Sequence, residues 1–147
     1  MHEFKLEHFR RDHPGESFPE FQHLTEAECA ALTSEVIKRF RLSELRMPSQ
    51  LVPALWDSAR VLEGVDAEET SFSVIRALTA AGAMPTDRVC INWLRDWDTI
   101  DRFRLADLDR FFEDIWYPSS DDLEVIAETL DWILLIDHEG VVCLALP

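Results

Sequence analysis

Glycine is scarce in this 147-residue sequence, with four in all, at positions 15, 64, 82 and 140. No glycine-rich phosphate loop or dinucleotide fingerprint can be built from them, and no Gly-x-Ser-x-Gly elbow occurs, so the usual nucleotide-binding and serine-hydrolase motifs are excluded. Basic residues are also few: 14 Lys and Arg stand against 29 Asp and Glu, for a formal charge of −15 with histidine neutral. A nucleic-acid binder gathers cations to displace counterions from phosphate, so direct nucleic-acid binding is excluded. An anionic membrane surface is disfavoured on the same ground. Apolar runs such as Trp132 to Ile136 fall far short of the roughly 20 residues that cross a bilayer. The opening Met1-His2-Glu3-Phe4-Lys5 lacks the apolar centre of a signal peptide, and a cytoplasmic location is expected. The three cysteines, Cys29, Cys90 and Cys143, are odd in number, far apart and set among apolar neighbours, which suits reduced core thiols rather than a disulfide framework.

What is present is a core. With 47% hydrophobic residues the chain is expected to form one domain over residues 1–147, made of an N-terminal docking segment (1–23), a mainly helical part (24–82) and an acidic helix-plus-sheet part (83–147). Pro14-Gly15 and Pro19 break any long helix near the start, so Phe4, Phe9, Phe18 and Phe21 are expected to dock onto the core from a short element and a loop. Leu24, Thr25 and Glu28 then read as a capping box with its hydrophobic staple, opening a helix from Glu26 to Arg41 with Cys29, Leu32, Val36 and Phe40 on one face. Spacing predicts a second helix from Pro48 to Gly64 and a third from Ala67 to Ala81, stopped by Gly82 and Pro85. A fourth, carrying Leu105, Leu108, Phe111, Phe112 and Ile115, ends at Pro118. Val89, Ile91 and Trp93 alternate with Cys90, Asn92 and Leu94 as in a strand. Two apolar runs, Trp132 to Ile136 and Val141 to Leu146, flank Asp137-His138-Glu139-Gly140 as in a hairpin, and Leu123 to Ile126 is a candidate neighbouring strand. The expected fold is α+β: N-terminal helices packed on a small antiparallel sheet of three or four strands that ends in a C-terminal β-hairpin.

Charge is uneven along this chain. Between Asp96 and Glu139 fourteen acids face three arginines, and Trp97, Trp116, Trp132 and the only tyrosine, Tyr117, fall in the same stretch. Aromatic anchors supply desolvated contact area, and a field of one sign around them steers a basic partner, so this combination reads as a recognition surface. The competing reading makes the tryptophans core residues and the acids a solvated outer face. The densest segment runs from Glu113 to Asp122; there Ser119 to Asp122 either present paired carboxylates to a partner or cap the next turn.

Chemistry beyond binding has weaker support. Asp121, Asp122 and His138 converge if the hairpin turn lies beside the Pro118 loop, giving an acid/base or metal-assisted hydrolase as the alternative. His138-Glu139 is followed by Gly140-Val141-Val142 and not by a second histidine, so the usual zinc-hydrolase pattern is missing. The string from Asp96 to Asp107 lacks the glycine and glutamate of a calcium loop. His2, His8, His13 and His23 are irregularly spaced, and the cysteines have no local base to activate a thiol. No cofactor and no metal ligand is expected.

The C-terminal third, with its Trp116-Tyr117-Pro118-Ser119-Ser120-Asp121-Asp122 turn, Trp132 and the His138-Glu139-Gly140 hairpin, resembles small acidic bacterial proteins of uncharacterised families, some of them immunity proteins of polymorphic toxin systems. The resemblance implies a cytoplasmic antitoxin that occludes a toxin's active site, often that of a basic nuclease. Residue chemistry and resemblance agree on a non-enzymatic protein that binds a basic protein partner through Asp98, Asp114, Asp121, Asp122 and Glu139, with Trp97, Trp116 and Tyr117 as anchors. A structural subunit that self-associates through Trp-bearing faces is the third reading.

Overall fold

The computed structural model describes residues 1–42, 48–93 and 97–147; Leu94 and Asp96, which entered the strand and charge readings above, lie outside them. Helix α1 (Glu3–Asp12) and strand β1 (Phe21–His23) precede helix α2 (Glu26–Arg39). A 3-10 turn (Pro48–Gln50) leads into α3 (Leu51–Ser58), β2 (Arg60–Asp66), α4 (Val74–Ala80), β3 (Arg88–Asn92) and β4 (Ile100–Arg104). Helices α5 (Leu105–Arg110) and α6 (Phe112–Ile115) follow, then β5 (Leu123–Ala127), β6 (Ile133–Ile136) and β7 (Val141–Ala145). No helix among the described residues is long and apolar enough to cross a membrane.

The fold is α+β, but the sheet has seven strands and not three or four, in the order β1-β4-β3-β5-β6-β7-β2. Every neighbouring pair is antiparallel. The predicted hairpin is present as β6 and β7, with Ile133 opposite Ala145 and Ile136 opposite Val142. Its apolar character on both faces has a direct cause: side chains alternate across a strand, and helices cover both sides. Leu134 and Ile136 join a core under α4, α5 and α6, whereas Ile133 and Leu135 join a second core under α2 and α3. The candidate strand after Asp122 is β5, the middle strand of the sheet, fully buried along its length.

The strands missing from the sequence reading are β1, β2 and β4. The helix predicted to run to Gly64 stops at Ser58 and strand β2 takes its place; only Leu62 of Arg60–Asp66 is buried, so this edge strand with a glycine in it carries no alternating signal. The third predicted helix starts seven residues late, at Val74, because Ser73 is its N-cap, accepting from the Arg76 amide at 3.1 Å. Asp109 of α5 fixes that start, accepting from the Ser73 hydroxyl at 2.8 Å and the Ile75 amide at 3.0 Å. The fourth predicted helix is broken at Phe111 into α5 and α6. The capping box on α2 is present as read, with the Thr25 amide donating to Glu28 Oε2 at 2.8 Å and the Glu28 amide donating to Thr25 Oγ1 at 3.3 Å.

Candidate functional site

The turn between β6 and β7 is where four separate parts of the chain bring their acids together. Asp137 shapes it: one carboxylate oxygen accepts from the amides of Glu139 at 2.9 Å and Val141 at 2.8 Å, the usual way an aspartate substitutes for backbone in a tight turn. Gly140 completes it at φ +82°, a left-handed conformation that side chains disfavour. A Cβ there would lie 2.4 Å from Asp66 Oδ1 and 3.0 Å from Glu68 Cγ, so the glycine also lets the end of β2 approach. The Ala67 amide closes that contact by donating to the Gly140 carbonyl at 2.9 Å.

On another side the turn meets the segment entering β5. Asp122 Oδ1 accepts from the His138 amide and lies 3.1 Å from His138 Nδ1, while the Ser119 amide donates to the His138 carbonyl at 2.7 Å. The hydrogen bond and negative charge of Asp122 raise the imidazole pKa above its ordinary range, and Asp137 and Glu139 add to the effect. Helix α3 supplies the third side: Val52, Pro53, Trp56 and Asp57 line a cavity of about 300 Å³ together with Asp137 and His138. The turn is thus surrounded by Asp57, Asp66, Glu68 and Asp122 and itself carries Asp137 and Glu139.

The residues singled out from sequence fall into three groups. Asp98 and Glu139 are exposed. Asp114, Asp121 and Asp122 are only partly exposed, and each is engaged within the molecule. Asp114 lies 2.9 Å from His13 Nε2 and ties α1 to α6. Asp121 accepts from the Tyr117 amide at 2.8 Å and pairs with the ammonium of Lys5, which is fully buried. Trp97 and Trp116 are core residues, each only 2% exposed, so their rings offer no contact area in this fold; the Trp116 indole donates to the Asp121 carbonyl at 2.9 Å. Tyr117 is half-buried, with Lys5 Nζ 4.1 Å from its ring centre and His8 stacked alongside. Around Asp121 and Tyr117 the cause is α1, which folds back over the 115–121 segment, where Lys5 needs a carboxylate, a carbonyl and aromatic faces once water is removed; Trp97 is instead buried in the core under α2 and α3.

Sequence reasoning missed Trp56, Asp57, Asp66, Glu68 and Glu69. Trp56 is the one tryptophan of the five left partly exposed. The Asp66-Ala67-Glu68-Glu69 run is the signal that marks them, but it lies outside the densest acidic stretch from Asp96 to Glu139. Glu69 reaches a second concavity, a cleft of about 410 Å³ where Glu16, Glu69, Asp109, Glu113 and Asp114 sit with Phe72, Phe111 and Phe112; Arg110 and His13 are its only basic lining residues among those described.

The groups proposed for hydrolysis meet only in part. Asp122 and His138 touch, but Asp121 points away to Lys5. Among the described residues no group of three or more histidine, cysteine, aspartate or glutamate side chains is placed to hold a metal ion. All three cysteines are buried free thiols whose pKa is pushed up, chiefly by burial, which is the opposite of nucleophile activation. In class the molecule is an α+β protein with helices on both faces of an antiparallel sheet and an acidic turn at one end. The chain matches no protein-family model, no curated protein and no solved structure.

Proposed function

We propose that the chain is a non-enzymatic interaction protein that uses the acidic turn at 137–140 and the neighbouring α3 surface to bind a basic protein partner. The observation that carries this reading is the cavity beside Trp56: a partly exposed indole and the carboxylates of Asp57 and Asp137 line it, and His138, held by Asp122, is its one basic lining residue among those described. An arginine stacks on an indole while hydrogen-bonding a carboxylate, so this is the surface chemistry that a basic partner needs. Asp66, Glu68 and Glu139 extend the negative field around it and favour fast, salt-sensitive association. The anchor in this reading is Trp56, in place of the buried Trp97 and Trp116. The resemblance to immunity-type proteins makes a nuclease toxin with a cationic cleft the first partner to test, inhibited by occlusion.

The test compares the tagged wild-type chain with Asp57→Lys/Glu139→Lys, two exposed positions, in lysate of the cell that makes the protein. The expected result is one basic protein retained in stoichiometric amount by the wild type, released by high salt and missing from the variant, whose circular dichroism is unchanged. Equal retention by the variant would move the interface elsewhere. The Asp122–His138 contact favours a second reading, acid/base hydrolysis at the same cavity; it requires a pH-dependent activity that disappears in His138→Ala.

A further inference from the structure

At the far edge of the sheet a groove runs between β2 and α4. It consists of two cavities of about 260 and 230 Å³ that share Val65, Ala77 and Ala80, so it is continuous along the strand. Strand β2 is the last in the sheet and is paired on one side only, with β7, which leaves its outward amides and carbonyls without a partner strand among the described residues. The facing wall carries Ala77 and Ala80 of α4 and Ala81 just after it, whose short side chains hold the groove open.

We propose that this groove binds a short, extended, basic peptide segment, which adds to the edge of β2 as a further strand. Main-chain hydrogen bonds to a free edge supply affinity in this mode, and alternate side chains entering the flanking groove supply selectivity. The charge of the occupant follows from the lining. Arg60 and Arg76 also line the groove; their guanidinium groups keep their charge but are both turned onto backbone carbonyls, of Ala81 and Ser71 respectively, which leaves the three carboxylates in excess. Glu63, Asp66 and Glu69 line the same groove and form no ion pair among the described residues. Lysine or arginine at the rim positions of the peptide therefore meets carboxylates, and small apolar residues face Val65 and the alanines.

The same edge is badly shaped for a second copy of this chain. Its register against β7 shifts between Val61 and Asp66, and Gly64 sits at φ +74° within the shift. A bulge of this kind bends and twists an edge, which blocks long edge-to-edge pairing of two sheets. A single short peptide can follow that bend where a second preformed sheet cannot, and its ladder is confined to the stretches on either side of the shift, at Arg60–Val61 and at Asp66. The proposal does not rest on the reading of the 137–140 turn, and its variants leave Asp57 and Glu139 in place.

The experiment is selection from a random display library of peptides about ten residues long on the full chain, followed by fluorescence anisotropy on the enriched sequences. Enriched peptides should be basic and rich in β-formers. Ala80→Arg, at an exposed position, should weaken them at least about tenfold by filling the groove, and Glu63→Lys about threefold. N-methylation of the peptide backbone should abolish binding at alternate positions only, a readout that a merely electrostatic contact would not give. Failure to enrich any sequence over bare support would overturn the proposal. So would enrichment of acidic or helical peptides, equal binding by Ala80→Arg, or a homodimer that sediments as such and is lost in Ala80→Arg.

Discussion

Asp121→Asn removes the negative charge that accompanies Lys5 into the interior while keeping the side chain's size. In the wild type Lys5 Nζ donates to the Ile115 carbonyl at 2.7 Å, lies 4.1 Å from the centre of the Tyr117 ring and pairs with Asp121, whose side chain is 14% exposed. With the carboxylate neutralised, a fully covered ammonium is left with one carbonyl, one amide oxygen and aromatic faces. Removing one partner of a buried ion pair costs about 3–5 kcal/mol, and the solvent-reached edge of Asp121 places this case at the low end, about 3 kcal/mol. That is a large share of a domain stability of about 5–15 kcal/mol. For a urea slope of about 2 kcal/mol per molar, the unfolding midpoint should fall by about 1.5 M with the slope unchanged. Burial already depresses the Lys5 pKa from its ordinary 10.5 despite the opposing pull of Asp121. For a base whose folded pKa is lowered, stability rises with pH between the folded and unfolded values, so the deficit of Asp121→Asn should be greatest near neutrality and shrink as pH approaches 10.5. Lys5→Met added to Asp121→Asn removes the stranded cation and should recover most of the loss, since an apolar replacement for a whole buried pair is often neutral or better. A midpoint within about 0.25 M of wild type for Asp121→Asn, or a double variant no more stable than the single one, would refute the reasoning.

Other perturbations test the turn and the helix start. The raised pKa of His138 means that its tie to Asp122 is strongest below the free-imidazole value of 6.5 and is lost as pH rises through the raised value; ring chemical shifts should titrate above 6.5 in the wild type and move back towards it in Asp122→Asn. A wild-type midpoint at or below 6.5 would count against the contact. Gly140→Ala should cost at least about 2 kcal/mol in urea unfolding, because the left-handed backbone and the close approach of Asp66 both penalise a methyl group. An effect near zero would mean that β2 does not approach the turn as closely as described. Thr25→Ala should cost about 1 kcal/mol and lower Tm by about 4 °C, since the α2 capping box loses the hydroxyl that accepts from the Glu28 amide and donates to its carboxylate, while the amide at position 25 still donates to Glu28.

Local signals in the sequence were sufficient wherever neighbours in the chain decide the structure. The capping box at Thr25 and Glu28, the left-handed Gly82 after α4, the β6–β7 hairpin and the apolar run of β5 all depend on contacts within a few residues or on burial from both faces, and all were legible. Strand β4 was not, because Ile100–Arg104 mixes apolar and charged residues: Asp101 is fully buried, accepting from the Trp93 indole at 2.7 Å and pairing with the amino group of Met1 and with His23. A carboxylate held by partners far along the chain breaks the alternation that marks a strand. Acid content likewise predicted a charged surface without saying which acids face water, and Asp114 and Asp121 are held by His13 and Lys5.

The sequence by itself determined the α+β class, the closing hairpin, the excess of negative charge and the lack of glycine-rich or thiol-based motifs. Only the tertiary structure decided which aromatic residues and carboxylates are exposed to solvent. That choice depends on long-range packing: α1 brings Lys5 onto the Ile115 carbonyl and Asp121, while α3 ends beside the 137–140 turn and leaves Trp56 partly exposed with Asp57 and Asp137. Residues brought together from positions 56 to 138 leave no periodic trace in the chain, because burial of a side chain is a property of what packs against it and not of its neighbours in sequence.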